Sequence, residues 1–597
     1  MRISGRGRVA LPGGAGETLK FAASELARYL RRITGRPFEV DQGAVAEGTE
    51  FCILTSKELS GDEFRITVGE RGCSIEGGSE RACLYGVYEL LERFLGCKFV
   101  LPGEEVVPFD PSPLLPEGRW SSKPAFGARG IVEDAKHVPE DDPHSLLEHK
   151  RSLLSVIDWM GKRKLNRYFP GSKFPKAVIF GLLPEFRKRG IELEGGGHHL
   201  PLLLPRSLFE ERPYLFRQSP EGERVPAGNL CPSSGEALDI VARNAFEAVV
   251  KGPKVCLYHL WAEDLPGGGW CSCPECKALS PSDQYLAVVN HVARKFLKRG
   301  LEVPVDFLAY HDTLDPPRER PEGSVWLTFA PRERCYAHPL DSDACPRNIR
   351  YFRALRGLLQ RFSPERAVAF EYYGDSLLWG SVGVACPSTV CADLSAYRAL
   401  SLFGVQCLIF GLHSFWAYGP NLYAFSVTAW EGEAEVERVL GEFCGAVAPG
   451  READCVEALL KFERAVAPFL TYGDIKSPGR PKPDCLEKPL AEMERGLSEL
   501  ARLLLDLPEP RGDWEKSFRL LLSFTASELE AILKVNAFFL EGRDGKGLRE
   551  ALRALDEGAR ELAGLPEAGL WGRLGHPRWQ RAYIKRTATK AGRRCDR

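Results

Sequence analysis

The sharpest cluster of reactive side chains is a pair of adjacent carboxylates, Glu263 and Asp264, which follows an apolar run at residues 255–260. Adjacent carboxylates repel each other, so the pKa of at least one is expected to rise and to suit that group to proton donation. We predict that Glu263 is a general acid, with Asp264 as the alternative. In a non-catalytic alternative, either carboxylate only caps the turn that follows it.

A cluster of cysteines lies just beyond this pair, at Cys271, Cys273 and Cys276. Three thiolates at this spacing can hold a structural zinc ion if one more ligand completes the tetrahedron. The fourth ligand would come from one of three later residues: Cys335, His338 or Cys345. A disulfide or free thiols in the loop behind Glu263 are the alternatives. No glycine-rich phosphate loop follows a strand, so we expect no cofactor to be required for catalysis.

Eight short apolar runs, separated by helical patterns and long loops, occupy the middle of the chain. They lie at residues 127–132, 165–169, 190–193, 255–260, 305–309, 325–329, 367–372 and 406–410. This number of strands, with polar and aromatic residues at their C-terminal ends, predicts a (β/α)8 TIM barrel at residues 121–432. The carboxylate pair then follows the fourth strand, at the end of the barrel where active sites are built.

The flanking parts of the chain have different patterns. Residues 1–120 alternate strands and helices and end in a proline-rich link at 108–116, which predicts a small α/β sandwich domain. Residues 433–597 carry apolar stripes at helical spacing, which predict an all-helical C-terminal domain. The predicted helices of that domain lie at residues 433–443, 452–469, 486–505, 514–540 and 548–562.

Composition limits the partners and the class of protein. Eighty basic and 81 acidic side chains give a net charge of −1, so no global field attracts nucleic acid or an anionic membrane. No stretch reaches the ~20 apolar residues of a membrane span, and the N-terminus lacks the apolar run of a secretory signal, so we expect a cytoplasmic protein. Only 3 Met, 7 Asn and 6 Gln occur, a bias that favours a thermostable protein.

Several segments resemble known glycosidases. Residues 79–104 (SERACLYGVYELLERFLGCKFVLPGE), with 25–30 and 33–35 before them, are similar to the α/β domain that precedes the barrel in family 20 β-hexosaminidases and in α-glucuronidases. The barrel resembles family 163 glycoside hydrolases, a former family of unknown function that includes endo-β-N-acetylglucosaminidases. The matching segments are 159–168 (WMGKRKLNRY), 195–200 (GGGHHL), 263–276 (EDLPGGGWCSCPEC) and 334–340 (RCYAHPL).

This resemblance implies retaining cleavage of a β-linked N-acetylhexosaminide with help from the substrate. In family 20 an Asp-Glu pair follows the fourth strand; the Asp orients the 2-acetamido group, whose oxygen attacks the anomeric carbon, and the Glu protonates the leaving oxygen. The order here is Glu263 then Asp264, the reverse of that pair. The resemblance therefore implies Glu263 as acid/base and Asp264 as the acetamido partner.

Glu371, after the seventh predicted strand, supports a rival mechanism. Many retaining barrel glycosidases place the acid/base after strand four and a nucleophile after strand seven, about 5 Å apart. Glu263 and Glu371 could cleave another β-glycoside or a uronide in this way. A uronide would need an arginine clamp, for which Arg129 and Arg332 are candidates. A non-catalytic carbohydrate-binding protein is the third alternative.

Sugar rings stack on aromatic side chains and bind polar groups at strand ends, which indicates further substrate-binding residues. We predict the following: Arg129, His198, His199, Trp261, Trp270, Tyr310, Tyr372, Tyr373, His413 and Trp416. The expected partner is a carbohydrate, with neither nucleic acid nor membrane involved. The long helices after Trp430 could also form a homodimer interface.

Overall fold

The computed structural model describes residues 1–3, 7–43, 51–134, 143–171, 176–265, 267–379, 382–472 and 486–541, together with Glu550 and Arg553. Within them the chain forms an N-terminal α/β unit, a parallel barrel and a set of C-terminal helices. The predicted fold class is confirmed.

The N-terminal unit is a six-stranded sheet with two long helices. Its elements are β1 (Gly7–Leu11), α1 (Glu17–Thr34), β2 (Phe38–Gln42), β3 (Phe51–Thr55), β4 (Phe64–Val68), β5 (Cys73–Gly77), α2 (Glu80–Arg93), β6 (Lys98–Leu101), β7 (Glu104–Val106) and β8 (Gly118–Ser122). The strand order is β2-β1-β3-β5-β4-β8, and β6 and β7 form a separate hairpin. Buried and partly exposed residues alternate along β4 and β5, so one face of the sheet packs against the helices.

The barrel follows directly. Its elements are β9 (Ala128–Glu133), α3 (Pro143–Lys162), β10 (Arg167–Pro170), α4 (Lys176–Lys188), β11 (Glu192–Leu193), β12 (Gly195–Gly197), α5 (Leu200–Leu203), α6 (Gly235–Lys251), β13 (Tyr258–Leu260), α7 (Pro281–Lys298), β14 (Val305–Ala309), β15 (Val325–Phe329), α8 (Pro346–Leu358), β16 (Ala367–Glu371), α9 (Pro387–Ala399), β17 (Gly404–Ile409) and α10 (His413–Glu431).

All barrel strands pair in parallel, in the order β11-β10-β9-β17-β16-β15-β14-β13-β12. Every predicted barrel strand overlaps an observed one. The additional strand, β12, continues from β11 after the single residue Glu194, so that β11 pairs with β10 and β12 pairs with β13. The two short strands together take the third place in the barrel and nearly close it.

Four long helices complete the described chain: α11 (Val436–Val447), α12 (Glu452–Tyr472), α13 (Pro489–Asp506) and α14 (Asp513–Glu541). They match four of the five predicted helices. The fifth, at residues 548–562, lies outside the described residues except for Glu550 and Arg553. None of the helices in the described part of the chain is both long and apolar enough to cross a bilayer.

Candidate active site

Polar and aromatic side chains from five consecutive barrel strands meet at the C-terminal end of the barrel. We call this group the rim cluster. It consists of His198 after β12, Trp261, Glu263 and Asp264 after β13, Tyr310 and His311 after β14, Arg332 and Glu333 after β15, and Tyr372 and Asp375 after β16. Parallel strands bring these loops to one end because all their carboxyl ends point the same way.

His198 reaches the cluster because β12 is built of glycines. Gly196 has a φ of +97°, and a Cβ there would lie 2.1 Å from the carbonyl oxygen of His259. The close approach of β12 to β13 lets His198 Nδ1 donate to the carbonyl oxygen of Ala262 at 2.5 Å, with its ring 5.2 Å from Trp261. Since a carbonyl only accepts, Nδ1 carries a proton in this contact.

Trp261 forms an apolar floor beneath the cluster. Its indole N–H donates to Asp306 at 3.0 Å, and its ring stacks on Phe370 with centroids 5.9 Å apart. Asp306 also accepts from His259 at 2.8 Å, and the other nitrogen of His259 lies 3.1 Å from Glu194. Burial alone would lower the pKa of His259, but the two carboxylates raise it to about 9. A charged, fully buried layer therefore supports the floor.

Glu263 lies in the loop after β13, with its side chain partly exposed. Its main-chain N–H donates to Asn229 Oδ1 at 2.9 Å, which fixes the backbone, and its side chain is 33% exposed. Oε2 has no hydrogen-bond partner in the part of the chain that the structure describes, and its closest cation is Arg206 at 3.6 Å. Oε2 itself is buried, so the exposed part of the side chain, and not this oxygen, is what a substrate can reach.

Asp264 is held as an anion. Its Oδ1 lies 3.7 Å from His311 Nε2, and this contact, with the charges of His198 and Arg332, outweighs burial and lowers the pKa of Asp264 to about 2. The repulsion expected from Glu263 is outweighed at Asp264, because the cationic groups near it favour the anion. Asp264 is therefore ionised at neutral pH, which suits it to accept a hydrogen bond rather than to donate a proton.

His311 is the cation that controls Asp264. Its ring lies 3.7 Å from that of Tyr310, and its Nδ1 is 3.2 Å from Glu333 Oε2. Burial would lower its pKa, but the contacts with the carboxylates of Asp264 and Glu333 raise it to about 9. Its φ of +49° is unusual for a residue with a side chain and concentrates strain at the rim. Sequence reasoning did not identify His311, and its place directly after the fifth strand was the available signal.

Arg332 and Asp375 form a buried ion pair beside Tyr372. Nε and Nη2 of Arg332 each lie 3.1 Å from Asp375 Oδ2, and the guanidinium carbon is 5.7 Å from the Tyr372 ring. Asp375 accepts two further hydrogen bonds, from the N–H groups of Leu377 and Leu378. Arg332, one of the two predicted uronide clamps, is thus in the cluster.

Glu371 and Tyr373 lie on the other side of β16. Side chains alternate along a strand, and Phe370 and Tyr372 face the barrel axis. Glu371 is fully buried and faces α9, and its carboxylate accepts a hydrogen bond from the hydroxyl of Tyr397 on that helix. It also forms an ion pair at 3.3 Å with Arg334, which lies in the loop after β15. Tyr373 donates to Asp393 of the same helix at 2.8 Å. The structure does not bring these two predicted site residues to the rim cluster.

Arg129 lies at the opposite end of the barrel. It is fully buried near the start of β9, binds Asp62 of the N-terminal unit at 2.8 Å, and donates to the carbonyl oxygen of Lys164 at 2.9 Å. It therefore joins the two units and has no access to the rim. Arg129 stands near the N-terminal end of β9, whereas the rim lies at the C-terminal ends of the strands, so the structure does not bring this predicted substrate-binding residue to the rim.

Three other predicted residues lie in contacts outside the rim cluster. Trp270 donates to Asp312 at 3.0 Å, and Asp312 also accepts from the N–H groups of Gly267 and Gly268, so it fastens the loop after Asp264. Trp416, in α10, lines a cavity together with side chains of α12 and α14. His199 is the N-cap residue of α5. His413 begins α10, and its side chain lies outside the described residues.

The predicted cysteine cluster gains an unexpected member. Cys231 lies beside Cys271, Cys273 and Cys276, with its sulfur 3.5, 3.7 and 4.0 Å from theirs. The predicted fourth ligands belong elsewhere: Cys335, His338 and Cys345 form a separate group, with Cys335 Sγ 3.2 Å from His338 Nδ1. The prediction of a fourth ligand from that group is wrong, because the chain supplies a fourth sulfur from before the barrel's fourth strand.

Comparison with known proteins agrees with this architecture. Residues 103–361, less than half of the chain, match the family described as "Domain of unknown function (DUF4838)". No curated protein matches the chain. A solved family GH115 4-O-methyl-α-glucuronidase with specificity for decorated arabinogalactans matches with a TM-score of 0.63 at 14% identity, covering 98% of this chain and 80% of its own.

Two further solved structures are similar. A GH138 enzyme targeting pectin rhamnogalacturonan II has a TM-score of 0.58 at 11% identity, and the match covers 99% of this chain and 99% of that enzyme. A β-N-acetylhexosaminidase from Bacteroides fragilis has a TM-score of 0.47 at 13% identity, over 72% of this chain and 88% of its own. At such identities the likeness concerns the fold. The chain has the TIM-barrel fold of glycoside hydrolases.

Proposed function

We propose that this protein is a glycoside hydrolase that cleaves a β-linked N-acetylhexosaminide with retention through the substrate's own acetamido group. The observation that carries the proposal is the division of roles between neighbouring carboxylates. Asp264 is held as an anion by His311, whereas the side chain of Glu263 beside it is partly exposed and can be reached by a substrate.

The mechanism has two steps. The acetamido carbonyl oxygen attacks the anomeric carbon and the bond to the leaving oxygen breaks, while Glu263 gives that oxygen its proton. The Asp264 carboxylate accepts a hydrogen bond from the acetamido N–H and balances the positive charge that grows on the ring. Glu263 then takes a proton from water, which opens the ring intermediate at the anomeric carbon with overall retention.

The position of Glu371 also supports substrate assistance. An enzyme-borne nucleophile after strand seven would have to face the barrel axis, about 5 Å from the acid. Glu371 instead faces α9 and is bound by Arg334 and Tyr397. Trp261, Tyr310 and Tyr372 offer aromatic surface on which the sugar could stack.

A second candidate, cleavage of a uronide, is favoured by the positive charge at the rim. Arg332, His198 and His311 surround the space beside Asp264, and a uronic acid carboxylate could exchange with Asp375 on the Arg332 fork. The solved glucuronidase similar in fold is consistent with this candidate. It needs a nucleophile other than Glu371, and Glu333, which shares His311 with Asp264, could take that part.

Aryl glycosides of β-GlcNAc, β-GalNAc, β-Glc, β-Gal and β-GlcA distinguish these candidates. We expect turnover only of the two acetamido sugars, and a loss of at least about 100-fold in kcat/KM for both Glu263→Gln and Asp264→Asn. Glu236→Gln, which alters an exposed ion pair with Arg212, is the matched control and should leave kcat/KM unchanged. Preferential turnover of β-GlcA would instead establish the uronidase. Binding of sugars without any hydrolysis would establish a carbohydrate-binding protein.

A further inference from the structure

We propose that Cys231, Cys271, Cys273 and Cys276 bind one zinc ion, and that this zinc holds together the two chain segments that position Glu263. Zinc binding itself does not depend on the proposed reaction. Only its consequence for Glu263 rests on the proposed function.

The spacing of the sulfurs fits a tetrahedral metal site. Zinc–sulfur bonds of about 2.3 Å place the sulfurs of a tetrahedral site about 3.8 Å apart. The measured distances from Cys231 to the other three are 3.5, 3.7 and 4.0 Å, and all four sulfurs lie within 4.8 Å of one another. A disulfide needs a separation of about 2.05 Å, which none of these three pairs approaches.

The four cysteines also lack the environment of ordinary core thiols. Each is at most 2% exposed, yet they pack as a separate cluster of four sulfurs and not as part of either large apolar core. Buried thiols usually pack as small apolar side chains among larger ones. Four thiols that meet only at their sulfur atoms form a soft-donor set, which selects zinc over magnesium or calcium.

Donors surround the sulfurs, as a charged thiolate centre requires. The N–H of Gln218 points to Cys271 Sγ at 3.3 Å, and Ser233 Oγ lies 3.0 Å from Cys231 Sγ. Arg224 Nη1 is 4.0 Å from Cys271 Sγ, where its charge would partly offset the net −2 of zinc with four thiolates. Hydrogen bonds of this kind to metal ligands orient the ligands and stabilise their charged form.

The backbone around the cysteines is already arranged for binding. Gln284 is buried and forms three hydrogen bonds with it: its amide nitrogen donates to the carbonyl oxygens of Cys271 and Cys276, and its amide oxygen accepts from the Cys271 N–H. The N–H groups of Cys276 and Lys277 both donate to the Cys273 carbonyl at 2.9 Å. The three later sulfurs are thereby turned toward Cys231.

The proposed zinc connects directly to the acid. Asn229, two residues before Cys231, accepts the hydrogen bond from the Glu263 N–H at 2.9 Å. The Asn229 N–H in turn donates to the carbonyl of Gly269, two residues before Cys271, at 2.9 Å. Zinc bound to the four sulfurs would therefore hold the segments around Asn229 and Gly269 together. Because Asn229 binds the main-chain N–H of Glu263, loss of the zinc would release the backbone of Glu263.

The test is metal analysis of the full chain purified under reducing conditions without chelator. The Cys231→Ser, Cys273→Ser double variant should contain one zinc equivalent less than the wild type, whatever the Cys335 group binds. Cys52→Ser, which removes a buried cysteine of β3 outside both groups, is the matched control and should retain the wild-type zinc content. Equal zinc content in the wild type and the double variant would overturn the proposal.

A second measurement keeps the test decisive if the double variant does not fold. Wild-type chain with Co²⁺ in place of zinc should show sulfur-to-cobalt charge-transfer bands and the strong visible bands of a tetrahedral thiolate site. Absence of these bands in folded chain that has been offered Co²⁺, or thiol titration that finds disulfides among the four cysteines, would overturn the proposal. These readouts stand even if no glycoside is hydrolysed.

Discussion

Asp264 Oδ1 lies 3.7 Å from His311 Nε2, and this pair joins the loops after the fourth and fifth barrel strands. The contact keeps both groups charged over a wide range, with a pKa of about 2 for Asp264 and about 9 for His311. Asp264 is therefore available as an anionic hydrogen-bond acceptor at any pH where the protein would work. The proposed mechanism therefore assigns proton donation to Glu263.

His311→Gln should change the pH dependence of catalysis. On an aryl substrate with a strongly acidic leaving group, which needs little protonation, wild-type kcat/KM should be level between about pH 3 and pH 8 and fall above pH 9. The variant should lose this alkaline limb, and its acid limb should move up toward the ordinary Asp pKa of about 3.9. His291→Gln removes a histidine from a surface pair with Asp239 and serves as the control. Identical profiles for wild type and His311→Gln would contradict the assigned coupling.

The buried charge of His259 should make stability depend on pH. Its folded-state pKa of about 9 exceeds the unfolded value of 6.5, so the stabilisation is complete below pH 6.5 and is lost as the pH rises through 9. We expect His259→Gln to lower stability by about 3 kcal/mol at pH 6, because it leaves Asp306 and Glu194 buried without their cation. Thermal unfolding should show a larger difference in melting temperature between wild type and His259→Gln at pH 6 than at pH 10. An equal difference in melting temperature at the two pH values would argue against a charged His259.

Glu371→Gln should lower the stability of the protein and leave its kcat/KM nearly unchanged. The substitution breaks a buried ion pair with Arg334, which costs about 3 kcal/mol. Below the lowered melting temperature, kcat/KM should stay within a few-fold of wild type, because the side chain faces α9. A mechanism-based fluorosugar should also leave no covalent adduct on Glu371 of the wild type, as judged by mass spectrometry. An adduct there would return Glu371 to the role of nucleophile.

Glu528 in α14 should be a position where substitution stabilises the protein. Both of its carboxyl oxygens are buried without a hydrogen-bond partner among the described residues, and burial holds its pKa well above the usual range. Because the folded state keeps the proton and the unfolded state loses it above about pH 4.5, stability falls as pH rises. Glu528→Gln removes this penalty, so its melting temperature should exceed that of wild type by more at pH 9 than at pH 5. A melting temperature of Glu528→Gln below that of wild type at both pH values would contradict a destabilising Glu528.

The barrel could be predicted because each strand is a local apolar run between helical patterns. The bend at Glu194, which divides the third strand, could not, because it depends on the approach of Gly196 to His259 across neighbouring strands. Trp261, Glu263 and Asp264 come just after β13, so their position along the chain could also be predicted from the strands.

Side-chain direction was the main obstacle in the site. Residues 367–371 are buried on both faces, so periodicity does not tell which of Phe370 and Glu371 faces the axis. The structure decides it through the Phe370–Trp261 stack. Cys231 was missed for a different reason: ligand spacing rules act over short stretches, and this sulfur comes from 40 residues before Cys271.

Fluorination of the substrate's acetamido group tests the central claim most directly. Each fluorine withdraws electrons from the carbonyl oxygen and weakens it as a nucleophile without changing the leaving group. For aryl β-GlcNAc substrates with zero, one, two and three fluorines on the acetyl group, the account predicts that kcat/KM falls steeply and progressively. A kcat/KM that is unchanged across the series would contradict catalysis by the acetamido group beside Asp264.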